Sequence, residues 1–408
     1  MHNAHYANGD WMLFSSKLSP FSLKAELLCR HAGLAIRLVP AEVRSFTEGL
    51  RLVKRQRAVI AGKLPVHWPP LSANADLLLV PYLFSAGSRH QPEQNIFDST
   101  AMAHWLEKHS PVAESFPSLL PGDDAAAGFL IQLINDYADE FGLYMAHHNR
   151  WVTSAADNDA GKRLAEECSA VLPLPFMRRV YGAHFARRQV RRLPYLFSVA
   201  PEAASHNHLA ADRQPPTREG FPATHQLLDD AFLRFLSAVE AVLSEQEFLF
   251  GHRLSLADTA VYGQLAMNAD DPSAAILIRK KAPNTWAWVE RLRRGTVQKT
   301  HARFIVSPLL KPLLAEVCRM HVPLMQQNLG AYEKAGFSSA HECNAAAFNA
   351  GKALYDGELD GQPFRAVIKS FQVDVWRDCR KRWLKLSTSE QQSVTDLLPD
   401  NHGLNRDV

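Results

Sequence analysis

The stretch SPFSLKAELLCRHAGL, Ser19 to Leu34, lies between two apolar runs, and this arrangement limits the fold more than any other feature of the chain. Residues 11–14 (WMLF) and 35–39 read as two buried strands. Between them the spacing predicts a helix over residues 22–32, with Leu23, Leu27 and Leu28 on one face. Gly33 is placed to end it in a left-handed conformation. A β-α-β unit favours a parallel strand pair with a right-handed crossover. The fold class expected is therefore α/β at the N-terminus.

The rest of that first region is a basic helical segment (residues 45–61), an apolar strand, DLLLVPYLF, and a strand running into a helix over residues 99–108. Proline cannot donate to a strand ladder, so Pro81 within the apolar run marks an edge, a bulge or a cis bond. Residues 111–124, PVAESFPSLLPGDD, form a linker rich in proline, glycine and acid. Beyond it helical periodicity dominates. Residues 125–151 can make about seven turns, and residues 224–243 carry Leu228, Phe232, Leu236, Val239 and Leu243 on one face. Ser255 and Asp258 have capping-box spacing at the head of an apolar helix, a device worth about 1 kcal/mol. Residues 194–222 read as an extended loop. The last hundred residues contain a possible hairpin and a basic helix. At 408 residues two or three domains are expected: 9–110, 122–300 and a C-terminal extension, 301–400, with the chain predominantly α-helical overall.

Composition narrows the class further. With 47% hydrophobic and 21% charged residues the chain reads as soluble and globular. No window approaches ~18 uncharged apolar residues, so no membrane partner is expected. The first residues lack the basic start and apolar core of a secretory signal. The five cysteines are scattered and never spaced Cys-x-x-Cys. That pattern suits a reducing compartment, so a cytoplasmic location is expected, with neither disulfide scaffold nor metal. A net charge of +3 is too small to imply nucleic-acid binding.

Three N-terminal features belong together chemically. Ser19 to Ser22 opens a helix, where unpaired amides and the dipole favour an anion such as a thiolate. Pro81, after Val80, would leave main-chain groups available to an extended peptide. Asp98 and Ser99 begin a second helix, giving another amide-lined site beside a carboxylate and a hydroxyl. The set makes a slot for a short peptide carrying a sulfur at one end and an amino-acid head group at the other. Each feature also has a plainer reading. Ser19 caps its helix, Asp98 and Ser99 merely start theirs, and Ser15, Ser16 and Ser22 lie close enough to substitute for Ser19.

With these motifs in this order, residues 10–300 resemble the cytosolic glutathione S-transferases. SPFSLKAELLCRHAGL is similar to that family's first βα motif, VPYL to its cis-proline motif, and FDSTAMAHWLEK to its γ-glutamyl motif. EFLFGHRLSLADTAVYGQL resembles the capped helix of its all-helical second domain. The resemblance implies a thioredoxin-like, glutathione-binding N-terminal domain followed by an all-α domain that supplies an apolar pocket for a small hydrophobic electrophile. It makes Ser19 the catalytic hydroxyl that stabilises the thiolate. Val80 and Pro81 would hold the cysteinyl backbone, Asp98 and Ser99 the γ-glutamyl group. A serine where thiol-redox folds carry cysteine implies that the sulfur comes from bound glutathione. Lowering a free thiol near pKa ~8.5 by ~2 units takes about 2.7 kcal/mol. The resemblance also implies a homodimer.

Departures from the family pattern keep a second reading open, a non-catalytic binding or scaffolding protein on the same fold. The stretch before Pro81 is unusually long, so no residue is assigned to the glycyl carboxylate, and Pro65 rivals Pro81. Tyr144, His148 and Trp151, with His147, either border the acceptor pocket or form a helix end with one core tryptophan. His206 and His208 have no partner at metal-ligand spacing. A third reading, glutathione-dependent disulfide reduction, would need Cys29, ~15 Å along the helix from Ser19. Residues 168–201 hold six arginines and no acid, either a solvated face or a surface that steers an anion.

Overall fold

The computed structural model describes residues 11–61, 63–64, 81–85, 93–109, 117–202, 204–206, 208–295, 297, 300–338 and 342–405. The predicted β-α-β unit is present as β1 (Trp11–Phe14), α1 (Pro20–His31) and β2 (Ile36–Val39), with β1 and β2 parallel. Gly33, at φ 67°, follows the helix as anticipated. After α2 (Phe46–Ile60) come β3 (Tyr82–Ser85), β4 (Gln94–Phe97) and α3 (Ser99–His109). The sheet order is β2-β1-β3-β4, and β3 runs antiparallel to both neighbours. The described part of the apolar run over 76–84 begins its strand only after Pro81, so the missing amide costs the ladder nothing.

Side-chain alternation explains why this sheet has helices on both faces. Trp11, Leu13, Leu83 and Ile96 share one core with α1 and α3. Met12, Phe14, Val39, Tyr82, Phe84 and Phe97 point the other way, into a core with Leu52 and Val59 of α2. On that second face Tyr82 stacks on Phe97, Phe14 and Phe84 at centroid distances of 4.6–5.2 Å, and the Arg55 guanidinium covers Phe84.

The helical region starts with one long, nearly continuous helix comprising α4 (Ala125–Tyr137), a π-helical turn (Ala138–Gly142), α5 (Leu143–His148) and a second π turn (Asn149–Thr153). A helical hairpin follows, α6 (Ala160–Glu167) and α7 (Pro175–Arg191). Gly161 and Gly182 let its two backbones touch: a Cβ at Gly161 would lie 2.3 Å from the Gly182 carbonyl oxygen. Next come α8 (His225–Leu243), α9 (Leu256–Asn268), α10 (Pro272–Lys281) and α11 (Pro283–Arg293). The capping box of α9 forms: Ser255 Oγ accepts from the Asp258 amide and Asp258 Oδ2 from the Ser255 amide, while Oδ1 accepts from Leu249. The α1 helix docks on α9 so closely that a Cβ at Gly263 would sit 2.4 Å from the Pro20 carbonyl oxygen.

The remaining elements are α12 (Lys311–Glu316), α13 (Val322–Ala335), α14 (Asn344–Asn349), the predicted hairpin β5 (Leu354–Leu359) and β6 (Gln362–Val367), α15 (Ser370–Lys385) and α16 (Thr388–Thr395). Their apolar side chains, among them Leu313, Met325, Trp376 and Trp383, join the same core as α4, α8 and α9. Trp383 packs on Phe129, Arg382 reaches Asp136, and Arg234 of α8 holds Glu316 at 2.7 Å. The extension is thus a layer on the helical region.

Candidate functional site

Strand register brings the N-terminal motifs to one end of the sheet. Phe14 pairs with Tyr82, and Tyr82 with Phe97. One residue further, Ser15, Pro81 and Asp98 therefore stand in a row, each at the mouth of the segment that carries its motif. Two strand spacings of ~4.8 Å make that row about 10 Å wide, the length of an extended tripeptide at ~3.3 Å per residue. The Val80–Pro81 bond itself, Val80 and Pro65 lie outside the described residues; the cis bond among the described residues is Val39–Pro40.

At the left of this row the chain turns through Ser15–Ser19 into α1. Ser19 is half-buried and is the N-cap, its Oγ accepting from the Ser22 amide at 3.3 Å, which leaves its own proton to donate. The other three hydroxyls have work inside the loop. Ser15 donates to Glu26, whose carboxyl is pushed up by burial. Ser16 bonds Glu167 and accepts from the Leu18 amide, and Ser22 accepts from the Ser16 amide. Glu167 also accepts from the Lys17 amide at 3.0 Å.

Asp98, at the other end, is exposed with φ 67°, a left-handed conformation that costs a non-glycine residue of order 1 kcal/mol. Its Oδ1 accepts from the Ala101 amide at 2.8 Å, as an N-terminal cap does. Ser99, the first residue of α3, is buried.

Lys24 ties the two helix starts together, a role that no sequence signal marked beyond a lysine near the apolar face of α1. It is 1% exposed, and its Nζ donates to Thr100 Oγ1 (2.8 Å), Asn135 Oδ1 (2.7 Å) and Asp139 Oδ2 (2.6 Å). Thr100 donates to the same carboxylate oxygen. Burial pushes the Asp139 carboxyl up, and Lys24 opposes that shift. Arg150 is a second buried anchor. It is paired with Asp271 at 2.8 Å and donates to the Leu18 carbonyl at 2.7 Å, fixing the residue before Ser19.

The three residues assigned to the acceptor pocket are all buried, each against other parts of the chain. Tyr144 accepts from Lys369 and, at 3.0 Å, from Gln372, and stacks on Phe197. Lys369, itself buried, has its amine pushed down to about 7 by loss of water, with Glu140 opposing the shift. His148 lies 3.5 Å from Asp229 and against the His225 ring; burial holds its imidazole down at about 3, so it is neutral. Trp151 packs on Leu18 and, from the hairpin, Ala160, Ala186 and Val190. His147 is likewise pushed down to about 3 by burial. Cys29 is fully buried and its thiol is pushed up to about 12 by burial, which removes it as a nucleophile. Among the described residues no cluster of His, Cys, Asp or Glu could hold a metal ion, and no helix is long and apolar enough to cross a membrane.

Residues 215–294, from the approach to α8 through α11, match the family model described as glutathione S-transferase, C-terminal domain. Those residues are the helical core that α8, α9, α10 and α11 build. A thioredoxin-like α/β sheet domain precedes this helical region. No curated protein matches the chain. Among solved structures, the β-etherase LigF from Sphingobium sp. strain SYK-6 is similar at 17% identity, covering 69% of this chain and 94% of its own (TM-score 0.40). A glutathione transferase family member from Pseudomonas fluorescens pf-5, with two glutathione bound, has 14% identity, 71% and 93% coverage, and a TM-score of 0.35.

Proposed function

We propose that this protein binds glutathione across the Ser15–Pro81–Asp98 row and holds its thiol as the thiolate for attack on a small electrophile. The observation that supports the reading is the Ser19 hydroxyl, half-buried at the α1 N-terminus with its proton unspent in the cap, four residues on from the Ser15 end of a row about one tripeptide long. In this reading Ser19 donates to the sulfur, and the α1 dipole adds to the stabilisation of the anion. Asp98 takes the γ-glutamyl ammonium, and Ser99 with the first α3 amides takes its carboxylate. Pro81 and Val80 would present main-chain groups to the cysteinyl unit. The protein's contribution to rate is ionisation of the thiol plus proximity; the sulfur lone pair forms the new bond to carbon as the leaving group departs with its electrons.

One observation favours the non-catalytic reading: Tyr144, His148 and Trp151 are occupied by the chain's own side chains. Isothermal titration with glutathione and a conjugation assay with an activated aryl halide separate the two. Heat of binding with turnover that Ser19→Ala abolishes supports the transferase. Heat without turnover supports the binding protein, and no heat at millimolar glutathione refutes the transferase and favours a scaffold.

A further inference from the structure

The outer face of α7 is unlike the rest of the surface. Phe176, Val180, His184, Arg187 and Arg191 recur at i+4 or i+3 and form one exposed stripe, apolar in its first half and cationic in its second. Phe176 and Val180 are each 65% exposed, and Leu174, just before the helix, is 50% exposed. Arg188 and Arg179 flank the stripe, and no acid occurs from 168 to 201. Among the described residues Arg187 pairs with Asp212, while Arg188 and Arg191 are exposed and carry no ion pair.

A second helix extends the same surface. Gly49 of α2 lies against Val171, three residues before Leu174; a Cβ there would meet a Val171 methyl at 2.3 Å. On the same helix Phe46 and Leu50 are 50% and 49% exposed, and Arg51, Lys54 and Arg57 are exposed further along α2. Exposed aliphatic and aromatic tips beside arginines on a helix face match the requirements of an anionic lipid interface, where apolar tips enter the headgroup region and cations meet phosphates.

We propose that α7, supported by the start of α2, docks this protein onto an anionic bilayer surface. Phe176, Val180 and Leu174 enter the headgroup region, and Arg188 and Arg191 face lipid phosphates. The contact is peripheral and independent of the glutathione reading.

The test is co-sedimentation of the full chain with vesicles of phosphatidylcholine alone and of phosphatidylcholine with phosphatidylglycerol. Binding to the acidic vesicles only, weakening as salt is raised, is expected. With each interfacial arginine worth ~1 kcal/mol, Arg188→Gln with Arg191→Gln should lower the partition constant about 30-fold. Phe176→Ser with Val180→Ser should also lower it, and unchanged circular dichroism keeps either loss from being misfolding. Three outcomes overturn the proposal. The protein ignores acidic vesicles at low salt; it binds neutral ones equally well; or the variants change only the oligomeric state, which would make the stripe a contact between copies of this chain.

Discussion

Removing the ammonium of Lys24 is the sharpest perturbation of the junction that aligns the two helix starts. At 2.6 Å from Asp139 and an effective dielectric of ~20, the gross attraction is about 6 kcal/mol, offset by the cost of drying both charges. Breaking such a buried pair from one side costs about 3–5 kcal/mol. Because Asp139 keeps the Thr100 hydroxyl and 13% exposure, Lys24→Met should fall near 3 kcal/mol in urea unfolding at pH 7.5. Lys24→Met with Asp139→Asn should then cost less than the sum of the singles, with a coupling of ~1–3 kcal/mol. The pH dependence has a definite sign. Without Lys24 the Asp139 carboxyl rises further above its unfolded value, so the folded variant binds a proton before the unfolded chain does. Its stability therefore falls as pH rises through that raised value and recovers on acidification. The gap to wild type should narrow between pH 7.5 and 5. A single-variant cost below ~1 kcal/mol, additivity with Asp139→Asn, or a gap that ignores pH would refute the account of this junction.

Three further outcomes follow from the geometry. Asp98→Asn keeps the amide-capping oxygen and tolerates the left-handed backbone, so stability should stay within about 0.5 kcal/mol while glutathione affinity by calorimetry falls; unchanged affinity would remove the carboxylate from the site. Lys369, held down to about 7, is neutral in the fold where the unfolded amine is still charged. Wild-type stability should therefore rise above pH 7 by up to ~1.4 kcal/mol per pH unit from this group, and urea titrations of Lys369→Met should lack that slope. Gly263→Ala places a methyl against the Pro20 carbonyl and should cost about 1–3 kcal/mol, read as a lower thermal midpoint; wild-type stability would contradict the tight α1–α9 docking.

The N-terminal architecture was legible because its signals are local. WMLF alternates between two cores, SPFS caps α1, Gly33 ends it, and Ser255 with Asp258 caps α9. Periodicity also revealed the long helix over 125–151, although its two π turns leave no mark in residue type. What stayed hidden depends on long-range packing. Lys24 reaches Asp139 across 115 positions and Lys369 reaches Tyr144 across 225. Nothing in either local sequence announces the partner. On the acceptor side, the residue types of Tyr144, His148 and Trp151 suit either the rim of a pocket or a helix end with one core tryptophan. Folding brings the extension against Tyr144, α8 against His148 and the α6–α7 hairpin against Trp151.

The claim on which the functional reading turns is that the α1 start lowers the pKa of a bound thiol. Titrating the ultraviolet absorbance of the thiolate in the glutathione complex measures this directly. A midpoint about 2 units below the free value of ~8.5, returning toward it in Ser19→Ala, is the predicted result. A bound thiol that titrates like free glutathione in the wild-type protein would contradict it.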